Sequence, residues 1–110
     1  MIKFGPSGNS ESFFAEGFSG TEEAAKWCRD RNLDCFEYSF GQGIRLKEEK
    51  AASIGNAFQN CGVELSVHAP YFINLATPEE EKAVNSFNYI LQSGKFMKIM
   101  QGERVVFHPA

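Results

Sequence analysis

Two histidines, His68 and His108, are the residues of this chain best suited to chemistry. Each stands at the C-terminal end of a strand-like segment, and proline follows within two residues in both cases. Neutral imidazole is a common zinc ligand and a frequent general base. A histidine at a strand end can also hydrogen-bond to backbone and have only a structural role. The residues alone therefore leave metal binding and a structural role open for both side chains.

The elements that must position these histidines alternate between strand and helix. Strand patterns cover residues 2–5, 35–40, 63–68 and 104–108. Helix patterns cover residues 21–32 and 47–61 and a third segment that starts near 77. Residues 11–20 have poor periodicity, and we predict irregular structure there. The order β-α-β-α-β-α-β implies parallel strands with helices packed outside them.

Local signals mark the ends of the predicted helices. Gly62 follows the second helix, at the position where helices often end with a residue in the left-handed conformation. Thr77 followed by Pro78 predicts a helix cap and the first helical residue of the third helix. That helix carries an apolar stripe at spacings of three and four residues, comprising Val84, Phe87, Ile90, Leu91, Gly94 and Met97.

The third strand decides between two parallel architectures. Its residues alternate, so that Val63, Leu65 and Val67 point one way while Glu64, Ser66 and His68 point the other. Central strands of an open doubly wound sheet are apolar on both faces. A polar second face suits the lumen of a barrel of eight parallel strands. We predict an α/β fold, the first half of a TIM (β/α)8 barrel, with residues 1–110 forming a single domain and the N-terminal half-barrel of a longer protein.

Composition excludes several classes of protein. The chain has 110 residues, a net charge of −3 and 43% apolar residues, which is typical of a globular domain and argues against nucleic-acid binding by bulk charge. No apolar run is long enough to span a membrane. The three cysteines are odd in number and widely spaced, which indicates a reducing compartment, and we expect the cytoplasm.

The segments around both histidines resemble those of a known family. Residues 66–75, Ser-Val-His-Ala-Pro-Tyr-Phe-Ile-Asn-Leu, are similar to the third-strand segment of endonuclease IV enzymes. Residues 105–109, Val-Val-Phe-His-Pro, are similar to the fourth-strand segment of that family. The order of elements agrees over the whole chain, but only these two segments are specific.

This resemblance implies an enzyme that cleaves the DNA phosphodiester 5′ to an abasic site with a trinuclear zinc cluster. It implies that His68 and His108 ligate zinc and that Tyr71 and Phe72 enter the DNA at the lesion. Arg45 would meet a phosphate. The alternatives are that the two rings pack under their loop as core and that Arg45 is a solvated surface residue.

The chain also departs from the family. Residues 5–8, Gly-Pro-Ser-Gly, stand where the family often has a histidine, and the ligands of the later strands are missing. We therefore expect the chain alone to be inactive and to self-associate through its open sheet edges. Residues 11–20 could instead cover an edge and leave a monomer.

Two other functions remain open at this stage. A sugar isomerase or epimerase would use a metal at the same end of the strands, with carboxylates and a pocket of monosaccharide size. A small non-catalytic α/β module would have structural histidines.

Overall fold

The computed structural model, which describes residues 2–110, contains a parallel sheet with helices on one face. The helices are α1 Glu11–Ala15, α2 Thr21–Asp30, α3 Glu48–Cys61 and α4 Glu80–Ile99. The strands are β1 Cys35–Ser39, β2 Glu64–His68 and β3 Val105–Val106, in the spatial order β1-β2-β3. Both strand pairs are parallel, which confirms the predicted α/β class.

The two faces of β2 differ as the alternating sequence predicts. Leu65 and Val67 are buried in the core, whereas Glu64, Ser66 and His68 are only half-buried on the opposite face. The core lies between the sheet and α2, α3 and α4, and Phe36 on β1 packs against Phe58 of α3 with ring centroids 4.9 Å apart. A sheet with one covered and one half-open polar face is what a segment of barrel wall presents.

The prediction of a first strand at residues 2–5 is wrong. The backbone there is extended, but pairing with β1 reduces to one parallel bridge between Ser7 and Glu37. The Glu37 N–H donates to the Pro6 carbonyl at 3.0 Å, and the Gly8 N–H donates to the Glu37 carbonyl at 2.9 Å. Pro6 has no N–H to continue a ladder, so the segment lies along β1 without forming a regular strand.

Residues 11–20 are not irregular throughout, contrary to expectation. They include α1, whose N-terminus is capped by the Ser10 Oγ accepting from the Phe13 N–H at 3.2 Å. Phe13 is buried, with its ring centroid 5.8 Å from that of Trp27 on α2. A single turn is too short to show periodicity in sequence, and its stability comes from this tertiary contact.

Two further boundaries differ from prediction and one agrees. Gly62 follows α3 with φ of 67°, as expected for a left-handed C-terminal residue. Helix α4 begins at Glu80 with Glu79 at the N-cap, so the predicted cap at Thr77 was wrong. The Thr77 Oγ1 instead accepts a hydrogen bond from the Glu79 N–H. The fourth predicted strand, residues 104–108, shortens to β3.

The predicted apolar stripe of α4 is divided: Met97 packs against the core and Ile90 is partly buried, whereas Val84, Phe87 and Leu91 are exposed. Ser86 and Ser93 are the buried residues of the helix. Their hydroxyls are satisfied locally, since Ser93 donates to the Tyr89 carbonyl at 2.7 Å and Ser86 donates to the Asn74 carbonyl at 3.3 Å. Within residues 2–110, neither α4 nor any other helix is long and apolar enough to cross a membrane.

The cysteines are free thiols within the described chain, and Cys28 lies fully in the core. Burial, with a smaller contribution from neighbouring Cys35, raises the pKa of the Cys28 thiol to about 11. That thiol is therefore neutral near pH 7 and acts as a small apolar core residue.

Two glycines inside helices give a matched pair of stability predictions. A Cβ at Gly55 would lie 2.5 Å from the Met100 carbonyl oxygen, whereas a Cβ at Gly94 would meet nothing within 4 Å. We expect Gly55→Ala to destabilise the fold by about 1–3 kcal/mol through overpacking. Gly94→Ala should stabilise it by up to about 1 kcal/mol through helix propensity. Urea unfolding of the two variants measures this, and equal midpoints would contradict the close approach of α3 to Met100.

Candidate metal centre

The two histidines meet at the C-terminal end of the sheet. His68 is the last residue of β2, and His108 follows β3 by two residues. Their ring centroids are 4.9 Å apart and the rings are inclined at 78°. Val106 pairs with His68 in the β2–β3 register, and because side chains alternate along an extended chain, His108 shares the face of His68. The structure therefore brings together the two residues that the sequence singled out.

One ring nitrogen of His68 is held by the backbone. Its Nδ1 lies 2.7 Å from the carbonyl oxygen of Ala69, which can only accept a hydrogen bond. Nδ1 must therefore carry the proton, and the lone pair of the neutral ring is at Nε2. Backbone hydrogen bonds of this kind fix the tautomer and orientation of metal-ligating histidines. The half-buried ring of His68 is thus prepared to offer Nε2 as a ligand.

Sequence reasoning missed the hydroxyl beside this pair. Ser39, at the end of β1, pairs with His68 in the β1–β2 register. Glu37, two residues earlier, pairs with Ser66, and its carboxylate accepts from the Ser7 hydroxyl at 2.6 Å. Alternation along β1 could have revealed that these residues share one face, but only the register places Ser39 beside His68. The histidines therefore lie at the end of a polar face of the sheet.

On the same face of the sheet, at the start of β2, one carboxylate forms two ion pairs. The Glu64 carboxylate binds both Lys3 and Arg104, the latter at 3.2 Å. The hydrogen bond from Lys3, with further help from the two positive charges, holds the pKa of Glu64 below its usual range. The carboxylate is committed to these cations and is separated along β2 from His68 by four residues. These ion pairs connect β2 to the extended N-terminal segment and to the residue that precedes β3.

The donor set fits part of a zinc site. Within residues 2–110, no group of three or more His, Cys, Asp or Glu side chains could hold a metal ion. Zinc in proteins is bound by four ligands in structural sites and by three plus water in catalytic sites. His68 and His108 could supply two of these, so a zinc site here would need further ligands from outside the described residues.

The loop after β2 presents the two aromatic side chains of interest. Tyr71 is 58% exposed and Phe72 is 41% exposed, with ring centroids 5.9 Å apart. The loop itself is anchored, because Ile73 is buried and the Leu75 N–H donates to the Pro109 carbonyl at 2.6 Å. Phe72 also packs edge-on against Tyr89 at 4.8 Å. Ile73 is thus the core residue of the loop, and both rings remain accessible.

Arg45 lies at the same end of the sheet, in the loop after β1. It is exposed and lines a shallow cavity of about 310 Å³ with Tyr38, Ser39, Phe40, Gly43 and Leu46. Ser39 lines this cavity and also pairs with His68 in the β1–β2 register, so the cavity and the histidine pair have one neighbour in common. An exposed guanidinium at this place is available to an anionic group.

Comparisons with known proteins agree with this architecture. Residues 25–110 match the family model described as xylose isomerase-like TIM barrel. The chain is also 36% identical, over 81 residues, to an uncharacterized protein of Methanocaldococcus jannaschii. This alignment covers 74% of the chain but only 29% of the relative, so the chain spans less than a third of that protein's length. With a family match over most of its residues and a parallel sheet covered by helices on one face, the chain belongs to the xylose isomerase-like TIM barrel family.

Proposed function

We propose that this chain is the N-terminal half-barrel of a longer zinc-dependent endonuclease that hydrolyses the DNA phosphodiester 5′ to abasic sites in base excision repair. The observation that carries the proposal is the His68–His108 pair, with ring centroids 4.9 Å apart at the end of the sheet where barrel enzymes have their active sites. The resemblance of residues 66–75 and 105–109 to endonuclease IV segments supports the specific reaction.

The surroundings of the pair suit a phosphodiester substrate. Tyr71 and Phe72 stand on an anchored loop next to His68 and expose apolar rings. Such rings could enter the duplex at an abasic site, where stacking would recover part of the cost of opening it. Arg45, exposed in the loop after β1, would offer a positive charge to the DNA backbone.

The role of each group follows from its chemistry. His68, through Nε2, and His108 would hold one zinc ion together with ligands from later strands. When bound, zinc would lower the pKa of a water molecule and stabilise negative charge on the phosphate. The carbonyl of Ala69 would keep His68 in the ligating tautomer. The polar sheet face that carries Ser39 would be accessible to water and to an anionic substrate.

The longer protein is supported by two observations. The relative of Methanocaldococcus jannaschii is more than three times as long as the part that aligns. A complete barrel of this type typically needs about 250 residues, and the sheet here has three strands and one paired edge segment. The missing ligands would then come from later β/α units.

A sugar isomerase or epimerase is the second candidate. The family description includes xylose isomerase-like proteins, and Glu37 and Glu64 place carboxylates on the same face as His68. The Glu64 carboxylate is ion-paired with Lys3 and Arg104, whereas Glu37 accepts one hydrogen bond from Ser7 and keeps further acceptor sites. The exposed rings on the loop favour a nucleic acid over a monosaccharide.

The test is to assay a longer protein that contains this sequence. An abasic duplex and a panel of aldoses and ketoses are offered in parallel, with zinc and with chelator. The proposal requires incision 5′ to the abasic site that chelator abolishes and zinc restores. Metal-dependent sugar isomerisation without incision would establish the second candidate instead.

Tyr71→Ala and Phe72→Ala test the loop separately from the metal. In the longer protein we expect each change to weaken binding of abasic DNA by about 1–3 kcal/mol, the value of a base–aromatic stack, with zinc content unchanged. Leu75→Ala is the control, because Leu75 is a partly exposed apolar residue of the same loop. DNA affinity unchanged in both aromatic variants would contradict a DNA-contacting role.

A further inference from the structure

A cavity of about 460 Å³ lies between the loop after β2 and helix α4. This volume is in the range of small-molecule binding sites. Its lining includes Phe72 and Asn74 of the loop and Lys82, Asn85 and Tyr89 of the helix. Phe72 is also one of the two exposed rings to which the proposed function gives a DNA contact. The cavity therefore adjoins the candidate DNA-binding surface.

Contacts between the loop and α4 hold this cavity in shape. The buried Ser86 lines it, and its hydroxyl donates to the Asn74 carbonyl at 3.3 Å and accepts from the Asn74 N–H at 3.0 Å. The Asn74 Oδ1 accepts from the Ala76 N–H at 2.9 Å, which orients the amide and leaves its NH2 group as a donor. Phe72 meets Tyr89 edge-on with ring centroids 4.8 Å apart. A ligand would therefore find a site that is already formed, which lowers the cost of binding.

The cavity lies on the side of α4 that faces the earlier part of the sheet. Lys82, Asn85 and Tyr89 are separated by three and four residues and so share one side of the helix. Phe96, two turns after Tyr89, lies on the same side and packs toward Phe40, the residue after β1, with ring centroids 5.9 Å apart. A longer chain would add its next β/α unit beside β3, on the other side of α4, so the cavity would stay open there.

The side chains around the cavity are of the kinds that bind a nucleotide. In an edge-to-face pair each ring keeps at least one face outside the contact, so Phe72 or Tyr89 can stack on a base. The amides of Asn74 and Asn85 each carry a donor and an acceptor side by side, which matches the edges of unpaired bases. Lys82 supplies a positive charge. Its ion pair with Glu79, at 2.6 Å, joins two well-exposed side chains and contributes little, so the ammonium can turn to a phosphate.

We propose that this cavity binds one unpaired nucleotide of a DNA strand, with the base against the aromatic rings and the phosphate at Lys82. No carboxylate is among the described residues that line the cavity, so nothing in its lining repels a phosphate. A side chain that enters a duplex unstacks a base step, and a cavity next to Phe72 is placed to receive the displaced base. The DNA origin of the nucleotide rests on the proposed nuclease function, whereas nucleotide binding itself does not.

The ligand class is tested by NMR on the 110-residue chain without zinc, so the result is independent of the incision assay. The probes are a short single-stranded oligodeoxynucleotide, a deoxynucleoside monophosphate and inorganic phosphate. We expect the strand to shift the side-chain amide signals of Asn74 and Asn85 more strongly than the monophosphate does, and inorganic phosphate to leave both amides unchanged. Amides that do not respond to the strand, or that respond equally to inorganic phosphate, would overturn the proposal. A response to the monophosphate without one to the strand would assign the cavity to a free nucleotide instead of DNA.

Matched variants at exposed positions of α4 separate the cavity from the rest of the helix. Asn85→Ala should weaken binding of the strand about 2- to 10-fold through the loss of an amide hydrogen bond. Lys82→Glu should weaken it by about 10-fold or more through the loss of a charge-assisted contact. Asn88→Ala and Lys98→Glu make the same changes at exposed positions that do not line the cavity and should leave the affinity unchanged. All four positions are exposed, so the fold is preserved. Equal losses at cavity and control positions would show unspecific attraction to the helix and contradict the site.

Discussion

Replacing either histidine by alanine in the longer protein is expected to reduce incision of abasic DNA by orders of magnitude while leaving the fold nearly intact. His68 and His108 face each other at the end of the sheet, and the geometry leaves Nε2 of His68 free. Losing one ligand from a three-ligand catalytic site removes its affinity for zinc and the chemistry that zinc supplies.

The cost in stability should be small by comparison. His108 is exposed, and His68 is half-buried with one backbone hydrogen bond, which contributes about 1 kcal/mol. Zinc content, incision rate and melting temperature are measured on the same preparations. Ser39→Ala, beside His68 in register, is the control and should keep its zinc. Full zinc content with a collapsed melting temperature in the histidine variants would favour a structural role.

The 110-residue chain alone is expected not to incise abasic DNA at a measurable rate. Within residues 2–110 no cluster of three metal-ligating side chains exists, and two imidazoles are fewer than a catalytic zinc site requires. The exposed lumen also leaves the site open to water, which weakens the electrostatic interactions that a closed barrel would strengthen.

Purified chain and longer protein are compared on the same abasic duplex at equal zinc concentration, with His68→Ala in both as the control for contaminating nuclease. Incision by the chain that His68→Ala abolishes would mean that the missing ligands are supplied in another way, for instance by a second copy.

Much of this fold can be predicted from short-range patterns in the sequence. The alternation of β2 and the glycine after α3 report directly on backbone geometry, and both features occur where the sequence places them. Helix α1 and the start of α4 were missed or misplaced, because the first depends on the burial of Phe13 against Trp27 and the second on the turn around Thr77. Tertiary contacts decide such ends, and no local pattern contains them.

The candidate site, too, could be predicted from the sequence only in part. The equivalent places of His68 and His108 at strand ends predict that they meet, and they do. The hydrogen bond from His68 to Ala69 and the proximity of Ser39 depend on loop geometry and on register, which are properties of the folded chain. The apolar stripe of α4 was visible as a pattern, but which of its residues are exposed follows from how the helix lies on the sheet.

Direct measurement of metal binding by the chain tests the central claim that His68 and His108 form half of a zinc site. Zinc is titrated into the wild-type chain, His68→Ala and His108→Ala, and the imidazole nitrogens are followed by NMR. We predict that zinc perturbs Nε2 of His68 and a ring nitrogen of His108 together, that Nδ1 of His68 stays protonated, and that either alanine variant loses the response of the remaining histidine. Two histidines that respond independently, or not at all, would contradict the account.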